Sequence, residues 1–165
     1  MSVVVQAPPR EVQLSTLFWV TAVAAGGVET VLGAGDAALN DTMSNAVIAA
    51  NVAFRVLVYA GVLAVASRLW QGRNWARWTL AVVLGGIGML TLVAGPIGWL
   101  AGDHAFSELD PDGTFAGFAI VRAVHVVAVV AAVVLMFRPT ANAYFRAVGR
   151  ARRRTGIAAA APRRT

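Results

Sequence analysis

Hydrophobic residues occur in four long runs that short polar segments separate. The runs cover about residues 14–34, 46–69, 78–101 and 118–137. A helix needs about 20 apolar residues to cross a bilayer core of about 30 Å, and each run is long enough. The pattern therefore predicts an all-α integral membrane protein whose four spans, within residues 14–137, pack as an antiparallel four-helix bundle.

Turn residues and flanking segments complete this organisation. Gly35-Asp36 is predicted to end the first helix, and Asp110-Pro111-Asp112-Gly113 to form the turn before the fourth. Residues 1–13 form a short N-terminal segment, and residues 138–165 a basic tail with a helix from about Thr140 to Arg154 and a disordered end. The first run contains Glu29 and follows a single arginine, so it is interpreted as a span rather than a cleaved signal peptide.

Composition narrows the class of protein further. Hydrophobic residues make up 58% of the chain and charged residues 13%, about half the charged fraction of a typical soluble domain. This excludes a soluble globule, a disordered chain and a nucleic-acid-binding domain, although the net charge is +6. The chain has no cysteine, which excludes disulfides, thiolate metal sites and a cysteine nucleophile.

The distribution of arginine predicts the orientation in the membrane. All 14 basic residues are arginine, and placing both termini in the cytoplasm puts twelve of them on the inner side. The outer loops then hold no arginine and six acids. This asymmetry predicts a plasma-membrane protein with both termini inside. The twelve inner residues are Arg10, Arg68, Arg73, Arg77, Arg138, Arg146, Arg150, Arg152, Arg153, Arg154, Arg163 and Arg164.

Two groups of residues are predicted to contact the membrane surface. Tryptophan and arginine favour the headgroup level, so Arg73, Trp75, Arg77 and Trp78 are interpreted as interface anchors, as is Trp19 near the inner end of the first span. The tail arginines are predicted to contact an anionic inner leaflet. They are Arg146, Arg150, Arg152, Arg153 and Arg154.

Small residues indicate where helices approach closely. Ala22, Gly26, Thr30 and Ala34 form a row at four-residue spacing in the first span, and Gly98–Gly102 forms a GxxxG in the third. Close packing inside one bundle explains both patterns. A homodimer or a larger membrane complex is the alternative explanation for the GxxxG.

Polar residues inside the spans are the candidate site. Charged groups at this depth cost about 2.5–3.5 kcal/mol each on insertion scales, so they normally face the bundle interior. Glu29 and Arg122 lie at matching depths in the first and fourth spans, and helical spacing adds their neighbours. The predicted cluster is Glu29, Asn51, Arg55, Tyr59, Arg122 and His125.

Three interpretations of this cluster remain open. It is a structural ion-pair network, a ligand pocket open to the outer face, or a proton-coupled site at Glu29 or His125. Two arginines exceed one carboxylate, so an anion or a polar headgroup would complete a pocket. A haem site is disfavoured because the second histidine, His104, lies in an outer loop. The acids of that loop do not fit the calcium-loop pattern, so neither a metal nor another cofactor is predicted.

The absence of nucleotide-binding, serine-hydrolase and zinc-protease motifs in the sequence predicts a non-enzymatic protein. An accessory subunit or envelope component is the first functional prediction. A small transporter or ligand-binding module that uses the polar cluster is the second.

One motif resembles a known group. Gly72-Arg73-Asn74-Trp75-Ala76-Arg77-Trp78 before an apolar span, with the aromatic-rich Leu17–Val20 in the first span, is similar to small actinobacterial four-span membrane proteins of unknown function. The resemblance implies the four-span fold and a location in the cell envelope. It implies no activity.

Overall fold

The computed structural model describes residues 7–102 and 113–160, and all regular structure within these ranges is helical. The chain forms α1 (Arg10–Leu39), α2 (Asn45–Trp70), α3 (Asn74–Thr79), a π-helical segment (Leu80–Gly88), α4 (Met89–Leu100), α5 (Gly113–Met136) and α6 (Pro139–Ala160). The segments α3, Leu80–Gly88 and α4 follow one another directly and form the third predicted span.

Within the described residues, four helices are long and apolar enough to cross a membrane, as the sequence predicts. They are Arg10–Leu39, Asn45–Trp70, Asn74–Ala94 and Gly117–Met136. The chain is thus an all-helical protein with the four helices of a multi-pass membrane protein. The predicted turn at Asp110–Gly113 lies outside the described residues except for Gly113. The disordered tail end was predicted from Gly156, whereas α6 continues to Ala160, and residues 161–165 lie outside the described residues.

The first helix ends later than predicted. Gly35 and Asp36 lie inside α1, and the helix continues to Leu39. The Asn40 amide donates to the Asp36 carbonyl at 3.0 Å, and its side chain donates to the Asp36 carboxylate at 2.9 Å. The end of an apolar run predicts where a helix leaves the hydrocarbon core of the membrane. The helix itself can continue beyond that point, and here the hydrogen bonds of Asn40 mark its end.

The buried apolar core of the described residues lies at one end of the helices. α1 makes most of its interhelical contacts with α5 and α2. The buried apolar residues gather where the first half of α1 meets the second halves of α2 and α5, together with α3 and α6. We call this region the α6 end, and the region beside the α1–α2 connection the loop end. The loop end carries most of the polar cluster.

Helix α6 docks onto the turn between α2 and α3. The Tyr144 hydroxyl donates to the Trp70 carbonyl at 3.1 Å, and Arg152 donates to the Gln71 carbonyl at 3.0 Å. Burial raises the pKa of Tyr144, which favours the protonated hydroxyl that this bond requires. The turn itself contains Gly72 at a φ of 72°, a conformation in which a glycine avoids the strain of a Cβ.

We expect Gly72→Ala to weaken the docking of α6. An alanine Cβ there would lie 2.9 Å from the Val148 side chain and 3.1 Å from Tyr144 Cε1, in an unfavourable backbone conformation. The combined cost is about 2 kcal/mol. Limited trypsin digestion should then cleave faster after the arginines of α6. Gly61→Ala is the control, because a Cβ at that helical position meets nothing within 4 Å, and unchanged cleavage in Gly72→Ala would contradict the docked turn.

Candidate functional site

Glu29 and Arg122 form an ion pair between α1 and α5. Arg122 Nη2 lies 3.2 Å from Glu29 Oε2, and the Glu29 side chain is only 4% exposed. His125, one turn along α5, places Nδ1 3.5 Å from Glu29 Oε1. That distance is too long for a good hydrogen bond, and both atoms are buried without a hydrogen-bond partner in the described part of the chain.

Two further contacts hold the Arg122 side chain. Its Nη1 donates to the Leu92 carbonyl of α4 at 3.3 Å. Its guanidinium carbon lies 4.7 Å from the centre of the Phe118 ring, a distance at which a cation is attracted to the ring. Arg122 therefore links α1, α4 and α5, although its side chain remains 28% exposed.

Tyr59 joins α2 to α1 beside the ion pair. Its hydroxyl donates to the Gly26 carbonyl at 2.6 Å and lies 2.8 Å from Thr30 Oγ1. Gly26 permits this approach, since a Cβ on it would lie 2.9 Å from the Tyr59 hydroxyl and 3.2 Å from His125 Cε1. The row of small residues in α1 thus includes a point where side chains of both α2 and α5 approach it closely.

Asn51 and Arg55 are more exposed than the other predicted residues of the cluster. Both are exposed, and the Asn51 amide donates only to the Val47 carbonyl of its own helix at 3.5 Å. Among the described residues, no carboxylate forms an ion pair with Arg55. The predicted cluster therefore consists of a buried part at Glu29, Tyr59, Arg122 and His125 and an outer part at Asn51 and Arg55.

A cavity of about 310 Å³ lies between all four spans. Five of the six predicted residues line it, and Arg122 lies outside its wall. Most of the remaining wall is apolar, with residues such as Phe54, Val62, Leu84 and Val129. A neighbouring cavity of about 220 Å³ reaches Met43 and Ile48 at the loop end, and it shares Glu29, Asn51 and Arg55 with the first. The polar residues thus lie where the two cavities adjoin.

The sequence-based prediction for Trp19 was wrong. It was predicted to anchor at the headgroups, but it is 1% exposed and lines the larger cavity. Its indole Nε1 is buried without a partner in the described residues. Apolar burial at the α6 end explains the difference, because Trp19 packs in the core that α1 shares with α2 and α5. Thr30 was noted only as a small residue, and its hydroxyl also belongs to the site.

The predicted interface anchors separate into two kinds. Trp75 and Trp78 are about half exposed, at 51% and 53%, and Arg73 is exposed, as an interfacial position requires. Arg77 is instead buried. It donates to Asn142 and lies 4.7 Å from the Phe137 ring and 5.0 Å from the Phe145 ring, so it joins α3 to α6.

The described residues contain no group of three or more histidine, cysteine or acidic side chains that could hold a metal ion. His104 and the acids at 103, 108, 110 and 112 lie outside the described ranges.

Comparison with known proteins gives no relative. The chain matches no family model, and no match was found among curated proteins or among solved structures. The resemblance of the Gly72–Trp78 motif to small actinobacterial proteins therefore stays a prediction.

Proposed function

We propose that this protein is a non-enzymatic membrane protein that binds a small amphipathic molecule in the cavity between its spans. One observation carries the proposal: three residues that line the larger cavity each have a buried polar atom without a hydrogen-bond partner in the described chain. The atoms are Trp19 Nε1, Glu29 Oε1 and His125 Nδ1. Buried polar atoms in proteins nearly always have a hydrogen-bond partner, and a ligand head in this cavity would supply one.

The charges of the site indicate the chemistry of that head. Glu29 is already paired with Arg122, whereas Arg55 on the cavity wall has no carboxylate partner among the described residues. An unpaired guanidinium at membrane depth favours a carboxylate or another anionic group as its partner. The apolar wall suits a short hydrocarbon chain, and the volume is near the lower limit for small-molecule sites.

The opening of the cavity suggests how such a molecule would arrive. The wall includes exposed residues on both sides of the gap between α2 and the third span, namely Phe54, Arg55 and Val58 on α2 and Thr91 on α4. The third span makes few contacts with α2. A ligand dissolved in the bilayer would therefore enter sideways, with its head directed to Arg55.

The proposed arrangement in the membrane is an antiparallel bundle with both termini in the cytoplasm of the cell. Ser15 bonds to Ala132, and Glu29 bonds to Arg122. These two contacts support an antiparallel arrangement of α1 and α5. The twelve arginines that lie at the ends of the helices or beyond them favour the α6 end as the inner side. The smaller cavity would then lie toward the outer face.

A stabilisation measurement tests the ligand proposal. In a neutral detergent, decanoate at about ten times its Kd should stabilise the protein by about 1.4 kcal/mol and raise the melting temperature. Arg55→Gln should lose most of that rise. Arg68→Gln should keep it, since Arg68 is an exposed arginine of the same helix that lines neither cavity.

A decyltrimethylammonium probe of equal chain length separates head chemistry from chain burial. Equal protection by the cation, or an unchanged decanoate effect in Arg55→Gln, would contradict an anionic ligand at Arg55.

An accessory subunit is the second candidate, and the exposure of α2 favours it. Only 6% of the apolar window of α2 is buried, against 28% for α1, and Arg55 lies on that exposed helix. A partner helix with an acidic side chain would cover Arg55 equally well. Native mass spectrometry of protein released gently from its own membrane distinguishes the two: a stoichiometric protein partner supports the subunit, and a retained small mass supports the ligand.

A further inference from the structure

A third cavity, with different chemistry, lies at the α6 end. It has a volume of about 410 Å³ and runs between α6 and the beginning of the third span. Its wall contains four arginines and two asparagines and includes no acidic residue. The lining residues are Asn74, Arg77, Asn142, Phe145, Arg146, Gly149, Arg150 and Arg153. We call it the arginine groove.

The docking of α6 fixes the positions of these arginines. Arg146, Arg150 and Arg153 are spaced by four and three residues and therefore share one face of the helix. That face is held over α3 because Tyr144 and Arg152 bond to the turn carbonyls and Arg77 bonds to Asn142. The groove is thus part of the folded molecule and not a property of a free basic tail.

Arg77 has hydrogen-bonding capacity left over. It is only 9% exposed, yet its Nε has no partner in the described chain, while Nη1 donates to Asn142 and to the Met136 carbonyl. A largely buried guanidinium thus shares the wall of the groove with three further arginines. Their mutual repulsion is relieved by a group with several negative oxygens.

We propose that the arginine groove binds a phosphate group, carried by a membrane lipid headgroup or by a soluble phosphate compound. Guanidinium forks match phosphate oxygens in geometry and charge, and the asparagine amides add neutral donors. The sequence predicts that the tail arginines contact lipid as one set, but the structure separates them. Arg146, Arg150 and Arg153 line the groove. Arg152 bonds to Gln71 instead, and Arg154 does not line the groove. This site is independent of the cavity between the spans.

A matched pair of variants tests the assignment. The full chain in a neutral detergent is titrated with short-chain phosphatidic acid and phosphatidylglycerol, with phosphatidylcholine as the uncharged reference. Arg150→Gln should weaken binding of the anionic lipids about tenfold, as expected for one charge-assisted hydrogen bond. Arg154→Gln removes the same charge from the same helix and should change binding by less than about twofold. Equal losses in the two variants would show a general attraction to the tail and overturn the proposal.

A second variant fills the groove without changing its charge. A Cβ at Gly149 meets nothing within 4 Å, so Gly149→Leu should fold normally and abolish binding. Full binding by Gly149→Leu would place the anion elsewhere and overturn the assignment.

Inorganic phosphate distinguishes the two sources of the ligand. Phosphate that binds alone and displaces the lipid supports a soluble phosphate compound, and lipid binding that phosphate does not displace supports a headgroup. Binding of neither probe to the wild-type protein would overturn the proposal for both sources.

Discussion

Glu29→Gln should lower the stability of the protein by about 2 kcal/mol, which corresponds to a fall in melting temperature of about 5 °C for a chain of this size. The substitution keeps the shape of the side chain but removes the only described carboxylate paired with Arg122. A guanidinium without a counter-charge at membrane depth costs about 2.5–3.5 kcal/mol, and the 28% exposure of Arg122 reduces that cost. Thermal unfolding in detergent and the amount of protein in the membrane measure the effect.

The control for this prediction is Asp41→Asn. Asp41 is exposed and lies in the connection after α1 at a φ of 50°, which asparagine tolerates as well as aspartate. If Glu29→Gln matched this control in melting temperature and abundance, the ion pair would have no structural role. Addition of Arg122→Gln to Glu29→Gln should restore more than half of the lost stability, because the uncompensated charge disappears.

Gly26→Val should destabilise the protein by about 2–3 kcal/mol, the upper part of the range for overpacked positions. The first added carbon alone would lie 2.9 Å from the Tyr59 hydroxyl, 3.1 Å from Tyr59 Cε1 and 3.2 Å from His125 Cε1. Tyr59 yields poorly because its hydroxyl is bonded to the Gly26 carbonyl. The valine would therefore separate α1 from both α2 and α5, and the decrease in melting temperature measures the cost.

The adjacent glycine provides a matched control. A Cβ at Gly27 meets nothing within 4 Å, so Gly27→Val makes the same change in helix propensity and apolar area without a clash. Its melting temperature should stay close to that of the wild type. Similar melting temperatures for the two valine variants would contradict the close approach at Gly26.

The depth of a residue in the membrane was the sequence-based criterion that best predicted the site. Glu29 and Arg122 were matched only by their distance along two spans, and the structure joins them at 3.2 Å. Depth is set by the length of an apolar run and the fixed rise of a helix. It therefore follows from sequence without knowledge of the neighbouring helices.

Rotation about the helix axis was harder to predict. Asn51, Arg55 and Tyr59 were placed on one face, and all three line the larger cavity, but of the three only Tyr59 hydrogen-bonds to α1, and the other two are exposed. Each step of four residues turns about 40° beyond a full circle, so two steps turn the row by almost a quarter of the circumference. The direction in which such a row faces depends on packing partners.

Long-range contacts explain the remaining differences. Arg77 was assigned to the headgroups by its aromatic neighbours, whereas its bonds to Met136 and Asn142 join residues far apart in the chain. The π-helical segment Leu80–Gly88 has no equivalent in the hydropathy pattern. A Cβ at Gly85 within it would lie 2.9 Å from the Val133 side chain of α5, which shows how closely this segment approaches its neighbour.

The uneven packing of the two ends divides the molecule into regions of different local stability. At the α6 end, apolar side chains from six segments are buried together, so local unfolding there requires most of the global free energy. Toward the loop end, cavities adjoin the polar side chains, and α2 and the third span make few mutual contacts. Fluctuations that open this half disrupt little buried surface. If the cavity binds the proposed ligand, the ligand would therefore exchange while the α6 end stays folded, and ligand exchange and resistance to unfolding would be set by separate parts of the chain.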